Sequence, residues 1–319
     1  MGVLKLNNSE VLLPLTINEK FLGDYISLET KRTYSIALRD FLSWMNEFYE
    51  DVSCITKIDR DHIAKYRDYL IEFRGQNGNK MAPTSVNLKL ASISAYFEFL
   101  VKEGLLSSNV VKSVRRPKKE VKNPTQALTK EQARSLLESI ESDESGPLHK
   151  ALLFTLWMTG LRKSAVLNLK RQDYFETNHG MILRVTDKGG KQLQKLVHPE
   201  LELALEEYLD WMRDRSRERS PTDWLFVPTK NPKDPTNLEK QINPKTLNRI
   251  IEKYCQKVGI SGKISAHSAR ATFIEVLLDS GANIIDVKDE VGHKSVTTTQ
   301  EYDKRRKGLR RSLVRSLDY

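Results

Sequence analysis

The amino-acid sequence predicts a mainly α-helical fold with one small β-sheet, divided into two domains. Three observations carry this expectation. Apolar residues recur at helical spacing through residues 16–106 and again through most of 127–319. One pair of β-type runs, 181–185 and 193–197, interrupts the second helical region. Between the two regions the composition changes sharply in residues 107–126, SSNVVKSVRRPKKEVKNPTQ. At 319 residues the chain is long enough to bury two cores of ordinary size.

Taken in order, residues 1–15 have no strong periodicity and are expected to form a flexible arm. A short helix is expected from Thr16 through Phe21 and Tyr25. In residues 30–49, Tyr34, Leu38, Phe41, Leu42, Met45 and Phe48 fall at helical spacing, with Lys31, Arg32, Ser35 and Arg39 on other faces. This predicts an amphipathic helix whose N-terminal half is basic. A third helix is expected from about Asp59 to just before Gly75, with Ile63, Tyr66, Leu70 and Phe73 as its apolar side. A turn is expected at 75–79, and after Pro83 a fourth helix, 84–103, is expected to carry Lys89 and stop at Gly104. Four or five helices with short loops make a small bundle, placed at 16–106.

Residues 107–126 have no apolar stripe. Arg115, Arg116, Lys118, Lys119 and Lys122 surround Pro117, with Pro124 following. Prolines extend such a stretch and its charge suits phosphates, so it is expected to be an interdomain linker. Thr129 and Gln132 form a capping box that opens the second domain, 127–319. Helices follow near 129–141, 147–159 and 163–169, then the two strands, then helices at 201–215 and 243–258. Residues 229–240, charged and proline-containing, are expected to be a loop. At the end, Leu309, Leu313 and Leu317 recur among Arg310, Arg311 and Arg315, which predicts an amphipathic helix within 307–319. So short a helix needs a groove to cover its apolar edge.

Composition bounds the function. Lys plus Arg is 52 against 42 Asp plus Glu, a net charge of +10, with a pI near 9.4. The balance favours an anionic partner, of which nucleic acid is the commonest. The two cysteines, Cys54 and Cys255, have neither disulfide nor zinc-site spacing. No apolar run approaches the ~18 residues of a membrane span, and the N-terminal sequence has no signal pattern. A soluble, cytoplasmic protein is expected.

The residues richest in chemistry lie between His267 and Tyr302. His267 and Arg270 are three apart at the start of a helical run closed by Gly281, so they share a helical face. A second helix is expected from about Asn283 to Val291, with Ile284, Val287 and Val291 buried and Gly292 just past its end. His293 follows, nine residues before Tyr302. Arginine beside two histidines suits a phosphate, whose oxygens a guanidinium binds in a fork, better than a metal. A phenol beside such a cluster can be a nucleophile, because positive charge helps it ionise. Upstream, Thr159-Gly160-Leu161-Arg162 places Arg162 at a break between two helices. Lys188 sits in Asp187-Lys188-Gly189-Gly190, which is expected to form a hairpin turn between the two strands.

In chain order Arg162, Lys188, His267, Arg270, His293 and Tyr302 resemble the catalytic set of the tyrosine recombinase (phage integrase) family. The likeness is to the compact Xer-type and Cre-like members and runs over roughly residues 17–304. It implies the DNA breaking-rejoining enzyme fold, with the N-terminal bundle as a core-binding domain that grips DNA. It implies a site-specific recombinase that cleaves and rejoins strands through a 3′-phosphotyrosine on Tyr302, with no metal, ATP or other cofactor. In that scheme Arg162 and Arg270 hold the phosphate, Lys188 protonates the leaving 5′-oxygen, His267 assists proton transfer at Tyr302 and His293 donates a hydrogen bond. Lys191 and Lys195 compete with Lys188 for the lysine role. The expected partners are double-stranded DNA carrying an inverted-repeat site and three further copies of the chain on two sites. Lys31, Arg32, Arg39, Lys89, Arg115, Arg116, Lys118 and Lys119 are candidate DNA contacts. The family's terminal helix docks on a neighbouring protomer, with packing in cis as the alternative here. Two positions depart from the family pattern: Ala165, where an acidic residue is frequent, and Ala269, where leucine is. A type IB topoisomerase-like nicking enzyme and a non-catalytic DNA-binding protein are the rival readings.

Overall fold

The computed structural model describes residues 19–49, 51–52, 54–73, 78–118, 125–186, 192–231, 234 and 236–302. The chain divides into two units, Met1–Lys122 and Asn123–Tyr319, each with its own core. The expected arm at 1–15, Lys119, Lys122, Lys188, Lys191 and the expected helix within 307–319 lie outside the described residues.

The first unit has four α-helices among the described residues: α1 (Glu19–Gly23), α2 (Leu28–Phe48), α3 (Arg60–Glu72) and α4 (Pro83–Lys102). Each longer helix starts where the sequence supplies a partner for orphan N–H groups or removes one. Ser27 accepts from the Thr30 amide at the head of α2. Asp59 and His62 form a reciprocal box at the head of α3, and Pro83 stands in the first turn of α4. Leu38, Phe41, Met45, Ile63, Tyr66, Leu90, Ile93 and Phe97 meet in the core. Two residues of the expected apolar stripes do not: Phe48 and Phe73 are 53% and 40% exposed. Each lies at a helix end, where the core has run out. Their rings instead extend an aromatic row, with Phe48 and Tyr69 centred 6.0 Å apart and Tyr69 and Phe73 5.8 Å apart.

Part of the expected linker is built into this unit. Val111 and Val114 are buried in its core, and Asn109 caps the short 3-10 turn at Val110–Ser113. Beyond it, backbone groups with no ladder of their own find side-chain partners. Arg67 Nη1 donates to the Arg115 carbonyl over 3.1 Å, Asn87 Nδ2 to the Pro117 carbonyl over 2.9 Å, and Arg116 Nη1 to the Asn87 carbonyl over 3.1 Å. The chain is therefore pinned to α3 and α4 while Arg115, Arg116 and Lys118 remain exposed.

In the second unit α5 (Lys130–Glu138) carries the expected capping box, and the Thr129 hydroxyl accepts from the Gln132 amide. The apolar α6 (Gly146–Thr159) runs through the core and ends on Gly160, whose φ of 60° turns the chain into the short α7 (Lys163–Leu167). Three antiparallel strands follow in the order β1 (Tyr174–Thr177), β2 (Gly180–Thr186), β3 (Gln192–Leu196). β1 was not expected from the sequence; only four residues long, it is fixed by pairing with β2 rather than by its own pattern. Helices α8 (Pro199–Arg213) and α9 (Pro244–Lys257) complete the main core around Leu152, Leu156, Leu205, Tyr208, Phe226 and Ile251. The last helices, α10 (Ala266–Asp279), α11 (Ile284–Val291) and α12 (Val296–Gln300), share a smaller core of Ile274, Leu278, Val287 and Val291. α12, five residues long, was also not expected. Among the described residues no helix is long and apolar enough to cross a membrane.

Candidate active site

Arg270 lies at the centre of the candidate site. It is the fifth residue of α10 and is 2% exposed. A guanidinium so deeply buried needs acceptors, because a lost hydrogen bond to a charged group is expensive. Two backbone carbonyls supply them: Nη1 donates to Gly160 and Nη2 to Val291, each over 2.7 Å. These carbonyls belong to the two chain segments that carry the other candidates. Gly160 is two residues before Arg162, and Val291 is two before His293. Arg270 therefore ties together pieces of chain that are 110 and 21 residues away from it. The sequence reading assigned Arg270 to phosphate; in this structure two of its nitrogens also organise the site.

The Gly160 turn allows only glycine without strain. Its positive φ is the left-handed region, and a Cβ there would lie 2.4 Å from the Phe273 ring. Arg162 follows as the residue preceding α7 and is half-buried. His267 has an exposed edge one turn before Ala271. Loss of hydration, then the charges of Arg270, Arg162 and Lys163 in that order, hold its pKa below the ordinary histidine value. All three charged groups act on His267 in the same direction, disfavouring the imidazolium. Lys163 was not singled out from the sequence, where it reads as an ordinary helix-surface lysine.

His293 is buried, and its Nδ1 shares a 2.9 Å hydrogen bond with the Thr299 hydroxyl. Tyr302 lies beside it: the two rings are centred 5.9 Å apart and tilted by 18°. The Tyr302 amide donates to the Thr299 carbonyl, so Thr299 holds both residues, the histidine through its side chain and the tyrosine through its backbone. Sequence reasoning missed Thr299, which is fully buried in the unexpected α12. Its signal in the run Thr297-Thr298-Thr299 is weak, since nothing local distinguishes one threonine from the next. Tyr302 also packs partly buried against the Ile274, Leu278, Val287 and Val291 cluster.

Lys188 lies outside the described residues, between the end of β2 at Thr186 and Gln192 at the start of β3. Of its competitors, Lys191 is also outside the described residues. Lys195 on β3 is buried, and its ammonium donates to the side chain of Glu290 over 2.6 Å and to the Glu290 carbonyl. Ala165 lies half-buried in α7, and Ala269 is fully buried within α10. Among the described residues no three His, Cys, Asp or Glu side chains gather as a metal-ligand set. In the first unit Arg32 and Arg39 are exposed and Lys31 is half-buried on α2, while the Lys89 ammonium is paired with Asp40.

Comparison with known proteins places this geometry in context. Residues 126–308 match the family model described as the phage integrase family, and residues 21–104 match the phage integrase N-terminal SAM-like domain. Tyrosine recombinase XerC of Pelobacter propionicus is 30% identical over 278 residues, covering 87% of this chain and 85% of the relative. XerC of Rickettsia bellii is 28% identical over 293 residues, covering 88% and 89%. Among solved structures, a XerH site-specific recombinase bound to palindromic difH substrate aligns with a TM-score of 0.66 at 19% identity, covering 88% of this chain and 78% of that one. A lambda integrase tetramer bound to a Holliday junction aligns at 0.63 and 17%, covering 92% and 78%.

Proposed function

This chain belongs to the phage integrase family and is a tyrosine site-specific recombinase, and we propose that Tyr302 is its nucleophile. The Tyr302 hydroxyl attacks a DNA phosphodiester, giving a 3′-phosphotyrosine and a free 5′-hydroxyl. Attack of a 5′-hydroxyl from another strand reverses the step and exchanges strands, so the bond energy is kept and no ATP is consumed. Arg162 and Arg270 hold the non-bridging oxygens, where charge builds in the transition state; removing one preorganised donor of this kind costs on the order of 10²–10³ in rate. Lys188 protonates the leaving 5′-oxygen, His267 assists proton transfer at Tyr302 and His293 donates to the phosphate. The observation that carries the reading is that Arg270 is bonded to the backbone leading into both Arg162 and His293, while burial and then the charges of Arg270, Arg162 and Lys163 lower the pKa of His267 on the same helix. A lowered pKa keeps His267 neutral near pH 7, the state in which it can accept a proton.

The substrate in this reading is double-stranded DNA with an inverted-repeat site, bound in the cytoplasm by four copies of the chain on two sites. The +10 charge and exposed Arg32, Arg39, Arg115, Arg116 and Lys118 support a polyanionic partner. The sequence of the site can be found by selecting bound duplexes from a random pool. A plasmid carrying two copies should then yield recombinant circles. Relaxation of supercoils without any recombinant product would identify a nicking enzyme instead.

A further inference from the structure

We propose that Lys195 is a positioning residue for DNA cleavage: with Arg270 it caps the C-terminal end of α11 and so fixes where His293 leaves the helix. The last carbonyls of any α-helix lack intrahelical donors. In α11 those of Lys288 and Asp289 accept from the backbone amides of His293 and Gly292, which closes the helix through the left-handed Gly292. The next two carbonyls are taken by side chains from other elements. Glu290 accepts from Lys195 on β3, and Val291 from Arg270 on α10. His293 comes immediately after this doubly held turn.

The choice of two cations is physically apt, because the end of a helix carries partial negative charge. The Lys195 side chain is 2% exposed, whereas that of its partner Glu290 is 49% exposed. The carboxylate thus has water available, and the ammonium depends on the pair of Glu290 oxygens. Loss of hydration lowers the Lys195 pKa, Glu290 opposes that shift, and Arg270 is near enough to add to it. The Phe273 ring, centred 5.8 Å from the ammonium, is the same ring that a Cβ at Gly160 would strike. Lys195 therefore occupies the joint where β3, α10 and α11 meet, with its donors directed into the protein. That arrangement suits holding the site in place and does not suit protonating a leaving group.

The inference rests on the proposed nucleophilic reading, and the test separates the two. Wild-type protein is used to select a duplex from a random-sequence pool and to map its cleaved phosphate; failure to form any covalent product would count against Tyr302 chemistry itself. Cleavage is then measured on that duplex and on one with sulfur at the 5′-bridging position, which departs without protonation. Lys195→Met should bind within about threefold of wild type but cleave at least about tenfold more slowly on both substrates, as small misplacements of reacting groups do. Lys188→Ala, by contrast, should be slow only on the oxygen substrate. Glu290→Leu removes the carboxylate but keeps the backbone carbonyl that Lys195 caps, so it should show a smaller loss that sulfur also fails to restore. Because Glu290→Leu is expected to fold, it decides the matter if Lys195→Met does not. Restoration of Lys195→Met by sulfur would make Lys195 the general acid and overturn the proposal. Wild-type cleavage rates in Glu290→Leu or in folded Lys195→Met would overturn it equally.

Discussion

Replacing Gly160 by alanine tests how tightly the site is built. The residue has φ of 60°, and a side chain in the left-handed region costs about 1–2 kcal/mol. The new Cβ would lie 2.4 Å from Cδ1 and 2.9 Å from Cγ of Phe273. The ring must therefore retreat by about 1 Å to reach ordinary contact, and overpacking of this kind costs about 1–3 kcal/mol. Together the two effects predict a destabilisation of about 2–5 kcal/mol, a large share of the ~5–15 kcal/mol that holds a typical domain folded. Three of the four tryptophans, Trp157, Trp211 and Trp224, lie in the second unit, so urea unfolding followed by tryptophan fluorescence reports mainly on it. Gly259→Ala is the control: φ is 69° but nothing lies within 4 Å of its Cβ, so only the backbone cost applies. Because the Gly160 carbonyl holds Arg270, cleavage should fall in Gly160→Ala even where the protein is fully folded. Equal stability of the two variants, or a Gly160→Ala within about 0.5 kcal/mol of wild type that cleaves normally, would refute the reasoning.

Thr299→Val keeps the shape of the side chain but leaves Nδ1 of buried His293 without its partner, so stability should fall by about 1–3 kcal/mol. Cleavage should slow in parallel, and a neutral result in both assays would show that Thr299 does not hold the imidazole. Covalent adduct formation should survive excess EDTA, since Arg162 and Arg270 are proposed to do the work of a metal; loss restored by magnesium or zinc would contradict that. For pH, the folded-state pKa of His267 lies below its unfolded value of ~6.5, so below that pH the unfolded chain binds the proton first. Stability should therefore decline as pH falls through ~6.5 and on towards the lower folded value. His149, also lowered by burial, acts in the same direction. His267→Gln should flatten part of the decline in melting temperature, and an unchanged pH profile would argue against a lowered pKa at His267.

Much of the fold was legible because helices announce themselves locally. The Thr129 capping box, Pro83 and the stops at Gly104 and Gly292 each act within a few residues of the helix end they define. Very short elements were not legible: β1, four residues long, is fixed only by its pairing with the adjacent β2, and α12 is too short to show a period. Phe48 and Phe73 satisfied the helical spacing yet lie outside the core, since periodicity identifies a face and not where the core ends. In the candidate site the residue types and their order could be read directly. The roles the structure adds could not: Arg270 to Gly160 spans 110 residues and Lys195 to Glu290 spans 95. Each joins groups that are unremarkable in their own segments.

The central claim is that Tyr302 forms a covalent bond with DNA, and it is tested most directly by comparing wild type with Tyr302→Phe. Removing one oxygen deletes the nucleophile while the ring remains beside His293. Incubated with the selected duplex and denatured in SDS, wild type should give a protein-DNA adduct that protease digestion reduces to a peptide on the 3′-phosphate. Tyr302→Phe should bind the duplex with nearly unchanged affinity and give no adduct. An SDS-resistant adduct formed by Tyr302→Phe would contradict the account.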